Sequence, residues 1–299
     1  MTLILAVTTP EIVVLCADRR ITTQSFGKLG SQFDSDGKSF IFGGPSLAGF
    51  SGLATLGGLR MEMWLSRELV GQPDDRVPHV LAEKLTEARR KAPRPQDVTI
   101  AFLGVGFRFV GGKPTPQAWL VSNALDDDEE YSPDWVDTEF KVVWKPSEYG
   151  KVKIRHIGEP VDAVALRMAE DAIAQNVVQA PTDPRTIFDN LEALNAMVAH
   201  ASDGRVGTAI SLSALRRSTF LTGAMGFTTL GSNWATQPGV IYDYRGRGVQ
   251  SDDPGRLHFP AVINSKINVV GGFFSMNGDP TQVPTDRYPQ VSPPSKDDH

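Results

Sequence analysis

The sequence predicts an α+β chain whose sheets are covered on both faces by pairs of helices. Apolar runs of strand length come in blocks, and amphipathic stretches of helix length come in twos. The resulting order is strands, two helices, strands, two helices, strands. Helices that arrive in pairs, and not after every strand, argue against a doubly wound parallel sheet. The chain also opens on two short apolar runs divided by a Thr-Thr-Pro-Glu turn, the pattern of an antiparallel hairpin.

Length and charge narrow the function classes. A chain of 299 residues can bury a sizeable core. A net charge of −5 gives no support for binding nucleic acid or an anionic membrane surface, so neither is expected as a partner. No apolar stretch approaches the roughly 18 residues of a membrane span. The N-terminus lacks the basic lead-in and cleavage site of a secretory signal, and a cytoplasmic location is the default expectation. The single cysteine, Cys16, excludes an intrachain disulfide and a cysteine-cluster metal site. It lies in an apolar run, where a buried inert thiol is expected. His79, His156, His200 and His258 show no ligand spacing, so they read as structural or surface residues. Gly104-x-Gly106 is too short for a dinucleotide signature. No metal and no cofactor are expected.

The elements follow in order. Leu3 to Val7 and Ile12 to Ala17 form the opening hairpin, which ends on Asp18-Arg19-Arg20. Residues 21 to 37 are rich in Ser, Thr, Gly and Gln and read as a loop. Lys38 to Phe42 resumes a strand, Gly43-Gly44-Pro45 turns it, and Ser46 to Ser51 is a further strand ending at Gly52. Leu53, Leu56, Leu59, Met63 and Trp64 recur at helical spacing, which predicts a helix to about Val70. Val77, Val80, Leu81 and Leu85 mark a second, with Arg89, Arg90 and Lys91 where cations suit the helix dipole. Val98 to Val105 and Gln117 to Val121 are strand-like around a Gly-Gly-Lys-Pro turn. The carboxylate run Asp126 to Glu130 reads as a solvated surface loop and not a metal site, because adjacent like charges stay in water. Phe140 to Trp144 and Val152 to Ile157 are two more strands. Pro160 opens a helix with Val164, Leu166, Met168 and Ile173 as its apolar side. Pro181 to Pro184 breaks it, and Ile187, Leu191, Leu194, Met197 and Val198 form a fourth. Val206 to Leu212 and Thr219 to Leu221 return to strand. Three regions follow: a domain over 2–228, an extension with short strands over 229–278, and a tail over 279–299 whose Pro, Ser, Asp and Lys content predicts disorder.

The chemistry sits at the start of the chain. A hairpin brings the outer ends of its strands together, so Thr2 and Asp18 are candidate neighbours. With Met1 removed, Thr2 carries both a hydroxyl and a free α-amine, a known nucleophile arrangement in which the amine serves as base. Such an amine has a pKa of about 7.7–8.0, close to working pH.

The opening hairpin, the Asp-x-Arg end, the lysine strand and the glycine before the first helix together resemble a proteasome β-type subunit, one of the N-terminal-nucleophile hydrolases. Thr2 and Asp18 lie sixteen positions apart, Arg20 follows at the supporting arginine position, and Lys38 and Gly52 lie fourteen apart, as in that family. Ala48-Gly49-Phe50-Ser51-Gly52 resembles its apolar segment into the oxyanion glycine. The resemblance covers residues 2 to about 225 and is most specific over the first fifty. It implies a four-layer αββα sandwich with a C-terminal extension, and a threonine-type peptidase cleaving amides through an acyl-enzyme on Thr2. It implies that Asp18 holds Lys38 beside the hydroxyl, that the Gly52 N–H stabilises the oxyanion, and that Asp203 supports the amine. Ile21, Phe40 and Phe50 fall where the family lines its substrate pocket, which implies an apolar or small residue next to the scissile bond. Partners implied are a peptide or protein substrate and a homo-oligomer or ring assembly. The sequence departs from the family where two serines are expected. Val206 stands at one position. The other falls in His156-Ile157-Gly158-Glu159-Pro160 and lacks a serine. Those departures favour the alternative reading, a non-catalytic assembly or binding subunit of the same fold.

Overall fold

In the computed structural model, the described residues are 2–25, 28–34, 38–42, 46–69, 72–91, 98–147 and 150–218, with short strands further on. The chain is α+β, with mainly antiparallel sheets and four α-helices among the described residues. It begins with β1 (Leu3–Thr8) and β2 (Ile12–Asp18), paired so that Ile4 faces Ala17 and Leu5 faces Cys16. The Thr9 hydroxyl closes their turn, donating to Ile12 O at 2.8 Å and accepting from Ile12 N at 3.0 Å. This is the hairpin expected from the two apolar runs.

Residues 21 to 37, expected as a loop, contain instead a two-stranded ribbon of β3 (Arg20–Ser25) and β4 (Lys28–Asp34). Ile21, Leu29 and Phe33 are too few to show a strand period, but threonine favours extended backbone. Next come β5 (Ser39–Phe42) and β6 (Ser46–Ser51). The first helix does not start at Leu53. A small hairpin, β7 (Thr55–Leu56) and β8 (Leu59–Arg60), turns at Gly57-Gly58, both with positive φ, and α1 runs only over Met61–Leu69. Leu53, Leu56 and Leu59 mimic a helical period, while two adjacent glycines with φ > 0 specify a tight hairpin turn. A 3₁₀ turn precedes α2 (Val77–Lys91).

The long pair β9 (Ala101–Val110) and β10 (Lys113–Ser122) turns at Gly111-Gly112, and Gly104 lies in β9 opposite Trp119. The acidic run is an exposed turn, with Asp126 Oδ1 accepting from the Asp128 and Glu130 amides at 3.0 and 2.9 Å. Then come β11 (Lys141–Pro146), β12 (Lys153–Gly158), α3 (Ala163–Gln179), α4 (Arg185–Ala201) and β13 (Ile210–Arg216). Helix α3 is capped by Asp162, whose carboxylate accepts from the Val164 and Ala165 amides, so it begins after Pro160. Of its expected apolar side only Ile173 is buried, whereas Val164 and Met168 are exposed. Further on lie β14 (Phe227–Thr229), β15 (Val240–Arg245), β16 (Arg256–His258), β17 (Ala261–Ile263), β18 (Asn268–Val269) and β19 (Phe273–Ser275). The expected strand at Thr219 to Leu221 and the tail over 279–299 lie outside the described residues.

Two sheets organise the chain. The six-stranded one has the order β12-β1-β2-β13-β15-β14, and the seven-stranded one β11-β10-β9-β6-β5-β17-β18. Segments beyond 229 thus enter both, β15 beside β13 and β17 parallel to β5. Strand alternation sorts the core into three clusters. Leu3, Leu5, Val14 and Cys16 face Ile173, Phe188, Leu191 and Leu194 of α3 and α4. Ile4, Ala6, Val13 and Leu15 face Ile41, Leu47, Leu103 and Leu120 of the other sheet. Phe40, Phe50, Phe102 and Trp119 pack beneath Met61, Leu65, Leu81 and Leu85 of α1 and α2. No helix among the described residues is long and apolar enough to cross a membrane.

Candidate active site

The site forms where β1 begins and β2 ends. β2 is buried along its length because both of its faces are covered, which carries Asp18 to a fully buried position at its C-terminus. A carboxylate there needs hydrogen-bond donors. Its Oδ1 accepts from Leu3 N at 2.9 Å and from Lys38 Nζ at 2.9 Å. Its Oδ2 accepts from Gly207 N at 3.1 Å and Arg20 N at 3.3 Å. One carboxylate oxygen therefore joins the peptide that follows Thr2 to the Lys38 ammonium.

Lys38 reaches inward from the residue before β5 and is itself buried. It donates also to the Arg20 carbonyl. Its own carbonyl accepts from Phe50 N at 3.1 Å, which ties it to the strand leading into Gly52. The Arg20 guanidinium spans to the turn after α4, donating to Gly204 O at 2.7 Å. Gly207 follows in that turn, so Arg20 and Asp18 both clasp residues 204–207 from β2's end.

Thr2 is buried. Its carbonyl accepts from Glu159 N at 2.8 Å, which extends the pairing of Leu3 with Gly158 by one residue. Gly158 has φ +96°, and a Cβ there would stand 1.8 Å from Thr2 O. Only glycine fits between β12 and the start of β1. Gly52 follows β6 at φ +119°, and a Cβ there would stand 2.5 Å from Thr99 O. Gly52 precedes the small β7–β8 hairpin, so its amide is presented by a strand end and not by a helix N-terminus.

The structure thus joins Asp18, Arg20 and Lys38 in one hydrogen-bonded set, which reaches Thr2 through the amide of the next residue, Leu3. Asp203 occupies the adjacent turn with φ +51° and an exposed side chain. Phe40 and Phe50 stack at 5.7 Å inside the cluster beneath α1 and α2. The side chain of Ile21 lies outside the described residues. Val206 is buried in the α3–α4 cluster, and its amide donates to Ser202 Oγ at 3.1 Å.

Several residues near the site carried no sequence signal. Glu159 is buried, with Oε1 at 2.7 Å from the Arg205 guanidinium. Tyr131 follows the acidic turn. Burial pushes its hydroxyl above the ordinary tyrosine range, against hydrogen bonds to the Thr99 side chain and the Gly158 backbone. Ser211 of β13 lies 3.3 Å from Ser39 Oγ, beside Lys38, and donates to Ala17 O at 3.4 Å. Each comes from an element remote in sequence, so no local spacing announces it.

Compared with protein-family models and with curated protein sequences, the chain finds no match.

Proposed function

We propose that the chain is an N-terminal-threonine amidohydrolase, a proteasome-type threonine peptidase with a four-layer αββα sandwich. The single observation that carries the reading is the Asp18 carboxylate, which holds both the Leu3 amide and the Lys38 ammonium at 2.9 Å. The three core clusters, helix pair to sheet, sheet to sheet and sheet to helix pair, support the layered architecture.

Release of Thr2 from the residue before it frees the α-amine. The amine takes the hydroxyl proton as Thr2 Oγ1 attacks the amide carbonyl. Lys38 places positive charge near the forming alkoxide, and Asp18 fixes Lys38. The Gly52 N–H is the oxyanion donor. Collapse of the tetrahedral adduct expels the amine half of the peptide, which leaves with the proton from the Thr2 ammonium. Water then attacks the ester, and Thr2 regains its proton. A peptide or protein is the substrate, and a homo-oligomer or ring is the form of assembly the reading implies.

The second reading is a non-catalytic subunit of the same fold. It is favoured by Val206, whose side chain packs in the core and offers the amine no hydrogen bond. Mass spectrometry before and after treatment with an epoxyketone or β-lactone separates the two. Peptidase chemistry predicts a chain lacking Met1 that gains one adduct on Thr2, lost in Thr2→Ala. A retained methionine, or an adduct that survives Thr2→Ala, refutes it.

A further inference from the structure

We propose that Glu159 is the positioning residue for the α-amine of Thr2, through its carboxylate oxygen Oε2. The inference deepens the threonine-hydrolase reading and rests on it for the amine's catalytic use.

Glu159 is buried, yet only one of its oxygens is occupied: Oε1 meets Arg205, and Oε2 has no hydrogen-bond partner. A sealed carboxylate oxygen without a donor is unfavourable, and such atoms call for a missing group. Hydrogen bonds close a circuit around Thr2. Thr2 O accepts from Glu159 N, and the Glu159 carboxylate holds Arg205. Arg205 Nε donates to Ser202 O at 3.0 Å, within the same turn whose Gly207 amide binds Asp18 Oδ2. Asp18 Oδ1 accepts from Leu3 N and returns the path to Thr2. When the peptide bond before Thr2 is broken, up to three N–H donors appear on the residue whose carbonyl Glu159 N already binds, and the Glu159 carboxylate has an oxygen that lacks a donor.

The charge balance suits a base. A carboxylate beside an amine favours the ammonium and raises its pKa, which alone would spoil a neutral-pH base. The Arg205 guanidinium on the opposite oxygen offsets that pull. Charged groups gathered at the end of β2, whose Asp18 binds the Leu3 amide, are Asp18, Lys38 and Arg20, with Lys38 bound by Asp18 and the Arg20 guanidinium directed to Gly204 O. Tyr131, held neutral by burial, borders Gly158 and Glu159. Removing the carboxylate therefore lowers the amine pKa, and removing Arg205 raises it.

The test titrates the amine directly. Full-length wild type, Glu159→Gln and Arg205→Met, each checked by intact mass for a mature Thr2, are trace-labelled with acetic anhydride across pH 6 to 10. Acetylation of the N-terminal peptide is read by mass spectrometry. Glu159→Gln should lower the amine's midpoint by about one pH unit, and Arg205→Met should raise it by a similar amount. Unchanged midpoints in both variants overturn the proposal, as does a retained Met1. β-Lactone labelling of wild-type Thr2, run in parallel, reports on the hydrolase reading by itself. An adduct with unmoved midpoints sinks Glu159 alone. Moved midpoints without an adduct leave Glu159 in place and sink the peptidase.

Discussion

Lys38 Nζ lies 2.9 Å from Asp18 Oδ1, and neither side chain has appreciable contact with water. The pair comes from two different sheets, β2 in one and the approach to β5 in the other. It is therefore a charged pin between the two sheets, beside the Ser39–Ser211 contact. Desolvation largely offsets the attraction between two such charges, but removing one partner strands the other, at about 3–5 kcal/mol. Lys38→Met should accordingly lower the melting temperature on the order of 10 °C and abolish β-lactone labelling of Thr2. Differential scanning calorimetry with mass spectrometry reads both, and a variant that melts like wild type contradicts the pin.

Gly158 offers a sharper test of how Thr2 is held. A Cβ at this position would meet Thr2 O, whereas at Gly57, also at positive φ, it would meet nothing within 4 Å. Gly57→Ala should cost only the backbone strain of the left-handed region, about 1–2 kcal/mol. Gly158→Ala adds the displacement of the Thr2 carbonyl and the loss of its bond from Glu159 N. Urea unfolding should show the Gly158 variant less stable than the Gly57 variant by at least about 1 kcal/mol. Equal losses in the two variants argue against the tight seating of Thr2.

How far the sequence foretold this site depends on the range of the signal. The hairpin that brings the start of β1 to Asp18 was legible because two apolar runs and a turn fix it locally, whereas those unbroken runs did not show that Leu3 and Ile4 face different layers. The β3–β4 ribbon was not, since polar residues carry its extended backbone with few apolar ones to mark the period. The start of α1 is hidden in the sequence because leucines in a hairpin with two glycines imitate helical spacing. Helix α3 shows a different limit: periodicity says which side chains share a face, but not whether anything covers Val164 and Met168. Glu159 meets Thr2 through sheet pairing, and Arg205 and Tyr131 reach Glu159 and Gly158 from other segments, so no spacing within one segment could point to them.

Gly52 carries the prediction for rate. Its φ of +119° and the nearby Thr99 carbonyl leave no room for a side chain. Gly52→Ala must shift the backbone that presents the amide. Loss of one oxyanion donor typically lowers kcat about 10²–10³-fold. Single-turnover cleavage of a fluorogenic peptide should fall by that factor while intact mass still shows Met1 removed. An unchanged rate places the oxyanion donor elsewhere.

His156 links acid stability to the strand that ends at Gly158. It sits in β12 opposite Leu5, and burial holds its pKa below the ordinary histidine value, with the Glu130 charge opposing. The unfolded chain therefore binds this proton more readily than the folded one. Stability is undiminished above the unfolded histidine pKa of about 6.5 and falls as pH drops through that value toward the lower folded one. His156→Gln removes the titration and keeps a polar side chain of similar reach. Its melting temperature should gain on that of wild type as pH is lowered from about 7.5 to 5. Because β12 carries Gly158 and leads into Glu159, the same acid transition should loosen Thr2, with amide exchange at Leu3 rising in step in wild type and not in the variant. Parallel melting curves for the two proteins across that range would show that the imidazole already titrates as freely in the fold as outside it.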